Sequence, residues 1–237
     1  APRQLLALST LLRGIMEEPN EKLRESFLCA FSGTVELNNL FCRYMVKRST
    51  VGSQTIQGIF ARHDYQPKLT AAENNVWGIP NVAMGTFWVR VMGLSEAQEY
   101  RDSSWDWKSA GNGTRDKIVS DSICHSKGVI ECANSADRNH ANVRVVITDP
   151  PYVGNVNYSE LADFFYVWLR LALKTHYAWF APEYTEKRAE VIENRTRGKS
   201  RGDFFSSLSH VFSRVNVQLP ADGLLVFSFH HADHEGT

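Results

Sequence analysis

Along residues 3–30 apolar side chains recur at three- and four-residue spacing, and the run is broken once, at Glu18-Pro19-Asn20. That spacing turns one face of a helix toward a core, so the segment predicts two helices joined by a turn. From Phe31 to about Gly113 the pattern loosens, punctuated by Gly33, Gly52, Gly58, Pro67, Gly78, Pro80 and Gly85, and a helix is expected only near Thr86–Tyr100. Ser109-Ala110-Gly111-Asn112-Gly113-Thr114 reads as a flexible joint. A boundary placed there gives a mostly helical accessory region over residues 1–113 and a second region over residues 114–237.

Beyond the joint the period changes. Gly128–Cys132 reads as a short strand, Val143–Thr148 as a continuous β-branched strand buried on both faces, and Gly223–Phe229 as a third strand. Two helices fall between the second and third. One starts at Asn157 or Ser159 and lines up Leu161, Phe164, Phe165, Trp168 and Ala172; the other runs from about Asp203 to Gln218, with Phe204, Phe205, Leu208, Val211, Phe212 and Val215 inward and Pro220 after its end. Strands alternating with helices predict an α/β fold with a parallel sheet. No internal repeat or low-complexity tract interrupts this reading.

Composition narrows the classes. At 237 residues and 43% hydrophobic content the chain can bury a core. Lys+Arg and Asp+Glu are both 26, which excludes a global basic field and makes any nucleic-acid contact local. Four cysteines without a C-x-x-C pair argue against a zinc ribbon and predict buried, reduced thiols. No apolar run approaches the ~18 residues of a membrane span and no signal-peptide core follows Ala1, so a cytoplasmic protein without membrane contact is expected. The chain lacks an initiator Met and stops soon after its third expected strand, so a piece of a longer protein is expected.

The sharpest chemical feature is Asp149-Pro150-Pro151-Tyr152, directly after Val145-Val146-Ile147-Thr148. In open α/β sheets the ligand crevice lies beyond the carboxyl ends of the strands, so this corner falls where a substrate binds. Two prolines fix φ and carry no N–H, which stiffens the turn and lets its carbonyls face a pocket. An exocyclic amine of adenine or cytosine is a poor nucleophile because its lone pair is conjugated into the ring. The Asp149 carboxylate and the Pro150 carbonyl oxygen can each accept one of its hydrogens and release that lone pair. Tyr152 can stack on a base rotated out of the duplex. No Ser/His or Cys/His nucleophile system stands out.

This corner resembles the DPPY motif of amino-directed DNA methyltransferases. Together with Asn155-Val156-x-Tyr158 and the run Ser159–Arg170 it is similar to the core of the large prokaryotic adenine-specific DNA methylase group. Phe31-Ser32-Gly33-Thr34, Asn38-Asn39, Asn74–Gly78 and Phe227–His231 are similar to other segments of that group. The resemblance implies an incomplete Rossmann-like methyltransferase sheet, S-adenosylmethionine as cofactor and DNA as partner, with adenine N6 favoured over cytosine N4. It implies that Asp149, Pro150, Pro151 and Tyr152 are catalytic and that Asn155 and Tyr158 lie on the substrate side. Asn134-Ser135-Ala136-Asp137 is similar to the segment that contacts the adenosyl group, which implies Ser135 and Asp137 as cofactor contacts; the same four residues also read as a turn and helix cap. The family's Asp-Pro-Phe-x-Gly-x-Gly loop has no counterpart between Ala1 and Thr237, and its expected place is upstream.

Other candidates are weaker. Arg195, Arg197, Lys199 and Arg201 either hold a DNA backbone or form a solvated loop balanced by Glu183, Glu186, Glu190 and Glu193. His230, after the third expected strand, is expected to line the substrate crevice, and no metal is expected from the terminal His230, His231, Asp233, His234 and Glu235. Three rival readings stand: RNA or a protein amide as methyl acceptor on the same fold, or a non-catalytic DNA-binding subunit of a host-defence or restriction-modification system.

Overall fold

The computed structural model of the chain describes residues 2–44, 56–59, 73–79, 84–110, 113–120, 128–139, 142–154 and 156–229. Among them are five α-helices, three two-stranded sheets and two short 3₁₀ turns, a mixed α/β architecture. The helices are α1 (Pro2–Met16), α2 (Glu21–Val35), α3 (Phe87–Asp102), α4 (Tyr158–Leu173) and α5 (Arg201–Gln218). The strands are β1 (Arg43–Tyr44), β2 (Ile56–Gln57), β3 (Ser104–Ser109), β4 (Arg115–Ser120), β5 (Val145–Thr148) and β6 (Leu224–Phe227). Contacts divide the chain into Ala1–Val129 with Phe164–Glu183, and Ile130–Asp163 with Tyr184–Thr237.

The first unit is organised by the helical period. Leu8, Leu12 and Ile15 of α1 and Leu28, Phe31 and Val35 of α2 are buried with Phe87 of α3 and Ala172 of α4. Phe31 is wholly inaccessible and meets Trp168 edge-on at 5.7 Å between ring centroids. The aromatic stripe of α4 thus packs as core on this side, with Phe164 and Trp168 against the cluster. Asn20 caps α2 by accepting a hydrogen bond from the Leu23 amide, which explains the break between α1 and α2. The Ser109–Thr114 stretch joins β3 to β4, an antiparallel hairpin in which Ser104 pairs with Ser120 and Ser109 with Arg115. That hairpin is exposed along most of its length, so it lacks the in-out alternation by which a sequence announces strands.

The second unit is built on β5 and β6, a parallel pair with Thr148 opposite Phe227. Parallel neighbours need a long crossover, and here α5 forms its last part. Ser200 and Asp203 close a capping box at its start: the Ser200 hydroxyl accepts from the Asp203 amide and the Asp203 carboxylate accepts from the Ser200 amide at 2.8 Å. Phe204 and Val215 of α5 are buried, and Phe212 packs on Phe227 of β6 at 5.1 Å.

Three expectations fail in this unit. Gly128–Cys132 forms no strand, and Ile130 is 99% exposed, because no neighbouring strand pairs with it. β5 is not buried on both faces: Val146 and Thr148 are half-buried, whereas Val145 and Ile147 are 50% and 78% exposed, because α5 covers one face of the pair only. Phe205 faces outward at 47% exposure, beneath the Arg201 guanidinium. The thiols also depart from the expectation of burial: Cys42 is buried, and its pKa is raised by that burial, but Cys29 and Cys132 are exposed and free. Among the described residues no helix is long and apolar enough to cross a membrane.

Candidate active site

Strand pairing assembles the centre of the site. Because β5 and β6 run in register, Asp149 and Ser228 leave the sheet side by side although they are 79 positions apart. The Ser228 amide donates to the Thr148 carbonyl at 3.3 Å and extends the ladder by one bond. Pro150 and Pro151 turn the chain immediately after Asp149 and bring Tyr152 back to it, so the phenol donates to Asp149 Oδ1 at 2.5 Å. The Ser228 hydroxyl donates to the same oxygen, and the Tyr152 and Ser228 oxygens lie 3.1 Å apart. Gly154, at φ +65°, takes the left-handed conformation that returns the chain toward α4.

These two donors set the electrostatics. The Ser228 hydroxyl first and the Tyr152 phenol second hold the Asp149 carboxyl below its ordinary pKa, so the group is a carboxylate at neutral pH. Both bonds fall on Oδ1; among the described residues Oδ2 has no hydrogen-bond partner. Tyr158, the first residue of α4, is near enough to feel this charge. Burial first, and then the charges of Asp149, Tyr152 and Glu190, push its phenol pKa up.

Asp149 also lines a cleft of about 720 Å³, within the ~300–1,000 Å³ typical of small-molecule pockets. Val146 and Ile147 of β5, Leu208, Val211, Phe212 and Val215 of α5 and Leu225 of β6 form apolar walls. Polar groups are contributed by Asn134, Ser135 and Glu186, and Cys132 is on the rim. Ser135 and Asp149 therefore share one cavity. Asp137 does not line it. Its carboxylate accepts from Asn134 Nδ2 at 2.9 Å and its amide donates to the Asn134 carbonyl, which makes the 134–137 segment a turn. Pro150 and Pro151 border both this cleft and a smaller apolar cavity of about 140 Å³ walled by Tyr152, Phe204, Phe205, Phe212, Phe227 and Phe229.

The four clustered cations are not equivalent. Arg197 is 20% exposed and donates to Glu190 Oε2 at 3.1 Å, to Glu160 Oε1 at 2.7 Å and to the Ser159 hydroxyl at 3.1 Å. Glu190 in turn accepts from the Ser159 amide at 2.7 Å and hydroxyl at 2.6 Å, placing a carboxylate at the amino end of α4 where helix N–H groups lack partners. Lys199 Nζ donates to the Arg188 and Glu190 carbonyls. Arg195, by contrast, has a 90% exposed side chain and a loose 3.5 Å pairing with Glu193, and Arg201 stacks over Phe205. Arg197 and Lys199 are thus engaged inside the second unit and fasten the 188–199 segment to the start of α4.

Asn155 and His230 lie outside the described residues. Ser228 and the Glu190–Arg197 pair were not singled out by residue type. Ser228 falls in the Phe227–His231 segment and Glu190 among the acids balancing the basic run, but no sequence signal joins Ser228 to Asp149 or Glu190 to Arg197 and Ser159. Comparison with known proteins adds no name: no family model, no curated protein and no solved structure matches the chain.

Proposed function

We propose that the chain is the catalytic part of an S-adenosylmethionine-dependent DNA methyltransferase that acts on the exocyclic amine of a flipped-out base, adenine N6 in preference. One observation carries this reading: an ionised Asp149 stands at the carboxyl end of a parallel strand, on a rigid Pro-Pro-Tyr turn, with one oxygen anchored, the other open, and a ligand-sized cleft beside it.

The cleft fits the nucleoside part of such a cofactor. Its apolar walls suit a purine, and Asn134 and Ser135 are the groups that would hold it. The bound cofactor supplies a sulfonium methyl electrophile, which demands positioning more than covalent help. The chain's own residues do the rest. Asp149 Oδ2 and the Pro150 carbonyl accept the two hydrogens of the target amine, drawing its nitrogen out of conjugation with the ring. Tyr152, tied to Asp149 through its hydroxyl, offers its ring to the extruded base. Pro150 borders both cavities, so a base held in one and a methyl donor held in the other would both lie next to this corner. The Rossmann-like character of the sheet belongs to this proposal and rests on the β5–crossover–β6 pair alone.

The test is tritiated methyl transfer to DNA, RNA and protein substrates by the chain and by Asp149→Ala. Transfer to DNA that falls about 10²–10³-fold in the variant is the expected result, by analogy with loss of one transition-state hydrogen-bonding group. Transfer to RNA or protein alone changes the substrate, and transfer that survives Asp149→Ala sinks the mechanism. Cys132 gives an independent readout: as an exposed thiol on the cleft rim, it is expected to be alkylated more slowly when S-adenosylmethionine is present.

A further inference from the structure

The Asp149 carboxylate has two oxygens, and the fold uses them differently. Tyr152 and Ser228 both donate to Oδ1, while Oδ2 has no partner among the described residues. Each of the two hydroxyls has a single hydrogen, and both are directed to Asp149 when it is ionised. Two donors on one oxygen fix the carboxylate plane, because rotation about the Cβ–Cγ bond would break both bonds at once. Tyr152 holds this oxygen from the turn that carries Asp149 itself, whereas Ser228 holds it from a separate segment 79 residues away. Ser228 follows the neighbouring strand β6 and is anchored there by its amide N–H, which donates a hydrogen bond to the Thr148 carbonyl.

We propose that Ser228 is a positioning residue that clamps Asp149 Oδ1 so that Oδ2 is the oxygen presented to an incoming N–H donor. The inference rests on the methyltransferase reading for the identity of that donor, the exocyclic amine of a base. The clamp itself is a property of the chain alone. Tyr158 is the other titratable group whose charge coupling with Asp149 is evident, and its phenol is neutral wherever Asp149 titrates. The hydroxyl of Ser228 therefore governs the acid end of the profile, with Tyr152 contributing second.

The experiment compares the chain with Ser228→Ala and Ser228→Thr. Carbon-13 NMR of the Asp149 carboxyl reads the clamp directly, and steady-state methyl transfer to DNA reads its consequence. In Ser228→Ala the Asp149 titration is expected to move to higher pH, kcat to fall about tenfold with KM for DNA unchanged, and the acid limb of the kcat profile to move in step. Ser228→Thr, which keeps the hydroxyl, is expected to restore all three. An Asp149 titration indifferent to Ser228→Ala overturns the inference, and so does a shifted titration with unchanged kcat. A chain that transfers no methyl group to DNA, yet whose Asp149 titration follows Ser228, overturns the proposed function and leaves the clamp standing.

Discussion

At the scale of single residues, the site is a carboxylate whose partners, among the described residues, are hydroxyls rather than cations. A neighbouring Arg or Lys would also lower the Asp149 pKa, but would compete for the open oxygen, Oδ2. Hydroxyl donors lower it while adding no charge. The sign of the pH dependence follows. Asp149 must be ionised to accept an N–H, and its folded pKa lies below the ordinary carboxylate value, so under the proposed mechanism activity is expected to hold through neutral pH and to be lost only as pH falls through that depressed pKa. Tyr152→Phe keeps the ring and removes one of the two donors. It is expected to shift the acid limb upward by less than Ser228→Ala does, and a pH–rate series on both variants checks the order. Asp149 and Tyr152 were legible in the sequence because adjacent residues with incompatible roles in a core, an acid and two prolines after an apolar strand, stand out locally. Ser228 was not, since one serine among the chain's many acquires its meaning only from a partner 79 residues away.

At the scale of elements, the helices follow their hydrophobic period closely, and their boundaries follow their caps. Asn20, Thr86 and Ser200 each begin a helix by accepting a hydrogen bond from a backbone amide three residues on. Strands were legible only where they are apolar. β6 lies within its expected place, β5 is shorter and less buried than expected, and β3 and β4 are not expected from the sequence at all, because neither face of that hairpin is consistently buried. Gly128–Cys132 shows the converse, an apolar run that predicts a strand and forms none for want of a neighbour. The helical cluster offers the clearest stability prediction. Phe31 is wholly inaccessible and touches Trp168, so Phe31→Ala is expected to cost about 3–5 kcal/mol, measured by urea denaturation with tryptophan fluorescence as the signal.

At the scale of the whole molecule, balanced charge leaves recognition of a polyanion to a few residues. The sequence groups Arg195, Arg197, Lys199 and Arg201 as one basic run; the structure separates them by work. Arg197 ties Glu160 and Glu190 together, and Arg195 projects into solvent. Arg197→Ala is therefore expected to lower stability by about 1–3 kcal/mol through its lost charged hydrogen bonds. Arg195→Ala is expected to leave stability within about 0.5 kcal/mol, and to reduce the slope of log affinity against log salt for DNA by about one. Thermal melts and a salt titration of DNA binding measure the two effects separately. Equal behaviour of the two variants in both assays would remove the distinction between a fastening and a contacting arginine.

The pairing of Thr148 with Phe227 also dictates when the corner comes into being. During synthesis the carboxylate-bearing turn is complete long before the serine that steadies it has been added, since 79 residues separate them. At translation rates of about 5–20 residues per second the ribosome needs about 4–16 s to cover that gap. Over that interval a nascent chain has its acid and its prolines but lacks the hydroxyl that follows β6, so the hold on Asp149 forms late, when β6 zips onto β5.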